Sequence, residues 1–190
     1  MSADAVRDIA MNAYWQKDPA DVSINAICQM AGVSKPSVYR EFGSEDGLSL
    51  ATLDHYAQIV LSDIFAILNR RLGMAETLDA LIEFASADPR METGCLFHKM
   101  LAGKHRLGPK TVAKVDEIDA AAQQAFRTFL KACRDSGEWN SALSIEDGAR
   151  YLSAQFSLAF TQRAAGENHA FVQKSLTLAL SIFGAVSANV

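Results

Sequence analysis

The sequence predicts an all-α fold, with a three-helix N-terminal domain over 1-47 and a larger helical domain over 48-190. Apolar residues recur at three- and four-residue spacing along most of the chain, and no segment alternates with period two. Glycine and proline interrupt this pattern at intervals typical of helices, as at Asp18-Pro19, Asp88-Pro89, Gly108-Pro109, Gly137 and Gly166. With 190 residues and 49% hydrophobic content, the chain is large enough to bury a core.

Taken in order, a first helix is expected over 3-16, with Val6, Ile9, Ala10 and Ala13 on one stripe. Two short helices follow around the turn Ala31-Gly32-Val33. In the first, Ile24, Ile27, Cys28 and Ala31 form a buried stripe, and Gly32 supplies the positive φ of a sharp turn. The second must begin near Lys35, because Ser34 is placed to cap it and Pro36 fits only a first turn. Ser44 then caps a long helix over 45-71, with the stripe Leu53, Tyr56, Ala57, Val60, Ile64, Ile67 and Leu68. Further helices are expected over 75-86, 92-102, 110-135, 145-165 and 168-187.

The paired short helices have the layout of a helix-turn-helix DNA reader. Lys35, Ser37, Tyr39 and Arg40 would project outward, able to bond phosphates or base edges, while Val38 and Phe42 point inward. With the caps Ser23 and Ser34 and the first-turn Pro36, these residues form the candidate DNA-binding set. The pattern Ala-Gly-Val-Ser-Lys-x-x-x-Tyr-x-x-Phe-x-Ser-x-x-x-Leu, within residues 5-60, resembles the DNA-binding region of the TetR family of bacterial regulators. That resemblance implies a homodimer on double-stranded operator DNA, acting as a repressor that a small-molecule effector releases.

Two features depart from the family pattern. The chain begins Met-Ser-Ala-Asp, without a basic arm, and Glu45 stands where a lysine is usual. Residues 1-50 hold four cations (Arg7, Lys17, Lys35, Arg40) and seven acids (Asp4, Asp8, Asp18, Asp21, Glu41, Glu45, Asp46), an excess of three acids. Because phosphate neutralisation supplies most non-specific affinity, weak non-specific binding is expected. The alternative is a TetR-like dimeric ligand-binding protein whose DNA binding is weak or lost.

The last two predicted helices are apolar on more than one face, which points to burial against a second copy. Tyr151, Leu152, Phe156, Leu158, Val172, Leu176, Ala179 and Phe183 are the candidate dimer interface, with Phe171, Leu178, Ile182 and Ala185 adding to the second faces. Phe65, Phe84, Phe126 and Phe156, with Cys95 and His98, are the candidate lining of an effector cavity for a small, largely apolar molecule. Cys95 and His98 lie three apart in the predicted 92-102 helix. Such a pair suits half a metal site or a tuned thiol, but more simply a buried thiol beside a partly exposed histidine.

No phosphate-binding glycine loop, zinc-protease motif or nucleophile elbow occurs, and His55, His98, His105 and His169 are dispersed. Neither an enzyme nor a resident metal or cofactor is expected. Net charge −4 and a pI near 5.5 argue against an indiscriminate polyanion binder. The absence of a leader or an uncharged 18-residue run, with three separated cysteines (Cys28, Cys95, Cys133), leads to the expectation of a cytoplasmic protein without a membrane.

Overall fold

A computed structural model describes residues 1-70 and 72-184. Among these residues every regular element is helical: α1 (Ala3–Gln16), α2 (Ile24–Ala31), α3 (Lys35–Phe42), α4 (Glu45–Tyr56), α5 (Ser62–Asn69), α6 (Met74–Ala87), α7 (Leu96–Ala102), α8 (Pro109–Asp135), α9 (Ile145–Ala164) and α10 (His169–Leu180). No described helix is long and apolar enough to cross a membrane.

Local chemistry sets most boundaries. Ser2, Ser23, Ser34, Ser44, Ser144 and Asn168 each cap the helix that follows by accepting a backbone N–H. Asp18 likewise caps a short 3-10 turn, Pro19–Asp21, in which Pro19 is buried and ends α1's path. The expected 45-71 helix is not regular throughout. It passes through a π turn at Ala57–Leu61, which joins α4 to α5 and inserts extra backbone without breaking the apolar stripe: Leu53, Tyr56, Val60 and Ile67 remain buried. Its expected end, Arg71, lies outside the described residues.

The helix expected over 92-102 starts later, at Leu96. A 3-10 turn at Pro89–Met91 and Gly94 at φ 81° occupy the preceding residues, so Cys95 is the N-cap position and not a residue of the helix. The final helix stops at Leu180, a 3-10 turn Ser181–Phe183 follows, and the remainder of the expected span, including Ala185, lies outside the described residues.

The chain forms two compact units: Met1–Leu61 with Cys95–Ile118, and Ser62–Gly94 with Asp119–Val190, whose described part ends at Gly184. In the first, Val6, Ala10, Met11 and Tyr14 of α1 share a core with Ile24, Ile27 and Ala31 of α2, Val38 of α3 and Leu48 and Leu53 of α4. In the second, α6, α9 and α10 pack together, and Trp139 is buried beneath the Arg134 guanidinium, 4.2 Å from its ring centre. Gly148 admits this packing, because a Cβ there would lie 2.9 Å from Leu130 and 3.2 Å from Trp139.

Candidate functional site

The turn between α2 and α3 depends on Gly32, whose φ of 62° ends α2 in the left-handed region. A Cβ there would meet nothing within 4 Å, so backbone conformation, not space, requires glycine. The N–H of Val33 donates back to the Cys28 carbonyl at 3.0 Å, and Ser34 Oγ accepts from Ser37 N at 3.3 Å. α3 thus leaves its turn in one direction, anchored by Val38, which is 2% exposed.

Around that anchor Pro36, Tyr39 and Arg40 are exposed, while Lys35, Ser37 and Phe42 are half-buried. The Lys35 ammonium sits over the Tyr39 ring, 5.3 Å from its centre, and a hydrogen bond with the Tyr39 side chain holds the lysine pKa above its ordinary value. The Ser23 and Ser34 hydroxyls are engaged as caps, Ser23 accepting from Ala26 N at 3.2 Å, and the Ser34 and Ser37 hydroxyls pair at 2.9 Å. The outward face is therefore two cations, a phenol and a hydroxyl, a donor-rich surface suited to phosphate oxygens and base edges.

The acid excess looks different once partners are assigned. Arg7 pairs with Asp4 at 2.8 Å and with Asp8 at 3.0 Å. Arg106, from the 95-118 segment, reaches Asp21 at 2.8 Å and Asp18 at 3.4 Å. Asp46 accepts the Lys110 and Thr111 backbone N–H groups at 2.9 and 3.0 Å. Four of the seven acids thus share two arginines, of which only Arg106 adds to the four cations of residues 1-50, and Asp46 is held by neutral backbone N–H groups; such exposed pairs add little stability. Glu41 and Glu45 remain exposed. Across the whole first unit nine lysines and arginines stand against ten acids, close to balance.

Cys95 and His98 also belong to the first unit. Cys95 is 1% exposed, and the Tyr56 hydroxyl donates to its Sγ at 3.2 Å. Burial pushes the thiol up despite that hydrogen bond, which keeps it protonated and poorly nucleophilic. Burial also lowers the His98 pKa to about 4, leaving a neutral ring edge-on to Phe97 at 5.0 Å. No group of three potential metal ligands occurs among the described residues.

The other four residues expected to line an effector site belong to the second unit. Phe84 is buried under the Arg90 guanidinium, and Phe126 stacks on Phe156 with centroids 6.1 Å apart and planes 5° from parallel, so these three fill core. Phe65 is half-buried and lines an open groove of about 760 Å³ between α5 and α8, with Leu68, Leu72, Ala125, Phe129 and Cys133. Sequence reasoning missed this groove as a unit. Its signal is the run Ala121, Ala125, Phe129 and Ala132 along one side of α8, where small residues leave space.

The residues expected at a dimer interface divide as well. Leu152, Phe156, Val172, Leu176 and Phe183 are buried within the chain itself, and Tyr151 is tied to α10 by a 3.0 Å hydrogen bond from its hydroxyl to the Ala179 carbonyl. Leu158 is the member of the set that stays open, at 49% exposure. With it on the surface are Phe171 at 49%, Leu178 at 74% and Ile182 at 53%.

Residues 6–52 match the sequence profile described as bacterial regulatory proteins, tetR family. An uncharacterised HTH-type transcriptional regulator of Mycobacterium tuberculosis is 37% identical over 51 residues, which span 27% of this chain and 25% of that protein. The whole fold is similar to reduced NemR of Escherichia coli (TM-score 0.80, 16% identity, 97% and 98% of the two chains covered). It is also similar to a cysteine mutant of the TetR family regulator CifR in complex with a 26 bp operator (TM-score 0.81, 17% identity, 96% and 97% covered). A TetR family regulator from Agrobacterium tumefaciens gives a TM-score of 0.79 at 17% identity, with 96% and 99% covered. By its helix-turn-helix segment the chain is similar to the TetR family of bacterial regulatory proteins, and its all-helical fold is similar to that of solved TetR family structures.

Proposed function

We propose that this protein is a dimeric, ligand-responsive transcriptional repressor that binds operator DNA through α3. The observation that carries this is the capped, short α3, anchored by Val38 and presenting Lys35, Ser37, Tyr39 and Arg40 outward from the Gly32 turn. The near balance of nine cations and ten acids across the first unit favours DNA binding over its loss, since it removes most of the net repulsion that an acidic reader would present to phosphate.

Homodimerisation is supported by the exposed apolar residues Leu158, Phe171, Leu178 and Ile182 on α9, α10 and the turn after it, which water alone would cover in a single chain. Two α3 helices related by a two-fold axis would then reach half-sites about one turn apart. The effector is a small, largely apolar molecule, and the α5–α8 groove around Phe65 and Phe129 is its site in the body over 48-190. An effector acts here only through its differential affinity for the DNA-bound and free states.

Replacing Arg40 by Ala tests the assignment directly. The change should cost about 1–3 kcal/mol of binding to a duplex selected by the wild-type protein, and less on random DNA, if Arg40 reads a base. Equal losses on both would mark a phosphate contact; no loss on either would remove α3 from the interface.

A further inference from the structure

Between the end of α3 and the start of α8 lies a tightly packed polar junction, all of it within the first compact unit. Asp46, in the first turn of α4, accepts from Lys110 N at 2.9 Å through one carboxylate oxygen and from Thr111 N at 3.0 Å through the other. The Thr111 hydroxyl donates to the same carboxylate at 2.7 Å, with the Asp46 carbonyl also within reach at 3.2 Å. Thr111 is fully buried. Asp46 is thus a cap supplied to α8 by another helix, a carboxylate at the positive end of a helix macrodipole.

Two glycines make the contact this close. A Cβ on Gly108 would lie 2.3 Å from the Asp46 carboxyl carbon, so a larger residue would push α8 away from its cap. A Cβ on Gly47 would lie 1.9 Å from the Phe42 carbonyl oxygen, the last residue of α3. The end of α3, the first turn of α4 and the first turn of α8 therefore meet with no slack. From that junction α8 runs on without interruption for 27 residues to Asp135, and its later residues, Ala125 and Phe129 among them, line the groove described above.

We propose that Asp46 is a positioning residue, whose cap on α8 fixes the direction of α3, so that a displacement of α8 changes operator recognition. This rests on α3 being the DNA-reading helix. Asp46 need not touch DNA, and removing its charge is not what matters: a neutral change at Thr111, which breaks the same junction, must have the same effect.

The test compares Asp46→Ala, Thr111→Val and Thr111→Ser with the wild type on two duplexes, one selected by the wild-type protein from a random pool and one of random sequence, at fixed salt. Asp46→Ala and Thr111→Val should each lose about tenfold in preference for the selected duplex, while Thr111→Ser, which keeps the hydroxyl, stays close to wild type. Amide exchange in residues 35-48 should quicken in Thr111→Val and not in Thr111→Ser, with α9 unaffected. Should Asp46→Ala fail to fold, the Thr111 pair carries the comparison. Unchanged preference in Thr111→Val overturns the proposal. So does tighter binding of Asp46→Ala to both duplexes alike, which would make Asp46 a simple repulsive charge. A wild-type protein that selects no sequence would instead defeat the DNA-reading assignment, and the positioning role would fall with it.

Discussion

α3 and the α9–α10 pair are both surface helices held by a few buried apolar residues, yet they offer opposite chemistry outward. α3 buries Val38 and presents Lys35, Tyr39 and Arg40; α9 and α10 bury Leu152, Phe156, Val172 and Leu176 and present Leu158, Phe171 and Leu178. An outward face of donors is stable in water and gains from a polyanion. An outward face of large apolar side chains gains from a matching apolar face. The inward residues are alike and report folding; only the outward ones separate the surface proposed for DNA from the one proposed for a second copy.

The sharpest way to break this contrast is to place a charge on the apolar face. Leu178→Glu should leave the fold intact, since a residue 74% exposed in the single chain contributes little to its core. It should halve the mass seen by light scattering and weaken operator binding by about a hundredfold or more through lost bivalency. An unchanged mass would show that this face is not the interface. Phe156→Ala makes the complementary test: with 6% exposure and a stacked partner in Phe126, its loss should cost about 3–5 kcal/mol of unfolding free energy. Denaturant unfolding would report it, and a cost near zero would mean that Phe156 is not core.

Elements set by neighbouring residues were legible from the sequence. The limits of α1, the Gly32 turn, the Ser34 cap, and the 109-135 helix after Gly108-Pro109 all follow from side chains within a few positions of the boundary. The π turn at Ala57–Leu61 was not legible, because an inserted residue on the outer side leaves the apolar stripe intact. Nor was the pairing of Arg106 with Asp18 and Asp21, which joins residues 85 or more positions apart. The two apolar faces of α9 and α10 could be read, but not which one turns inward. That choice depends on α6 and Trp139, and five of the eight residues first assigned to an interface turned out to fill the chain's own core.

The first unit also carries a pH dependence in its interior. The His98 pKa is lowered from 6.5 to about 4 by burial, so on acidification the unfolded chain takes up a proton before the folded one does. Stability contributed by the neutral ring is therefore fully present above about 6.5, falls as pH drops through that value, and is lost once pH reaches about 4. His98→Phe, which keeps an aromatic ring beside Phe97, should flatten the unfolding free energy over this window relative to wild type. Parallel pH profiles for the two proteins would show instead that His98 is open to protons in the folded state.

The smallest expected effect concerns the boundary of the donor face itself. Glu45 is exposed in the first turn of α4, next along the chain from the Ser44 cap, and unlike Asp46 it makes no described bond to α8. Its charge helps raise the Lys35 pKa, which places it close enough to share that lysine's surroundings. Substituting Glu45→Lys removes a repulsion and offers a phosphate contact, so the plot of log K against log salt should steepen by roughly one unit, the release of about one counterion. Because a phosphate contact carries no sequence information, random and selected duplexes should gain equally. A steeper slope on the selected duplex alone would mean that position 45 contributes to base recognition. An unchanged slope on both would place the edge of the DNA-facing surface at Arg40, leaving the first turn of α4 to serve only as the junction with α8.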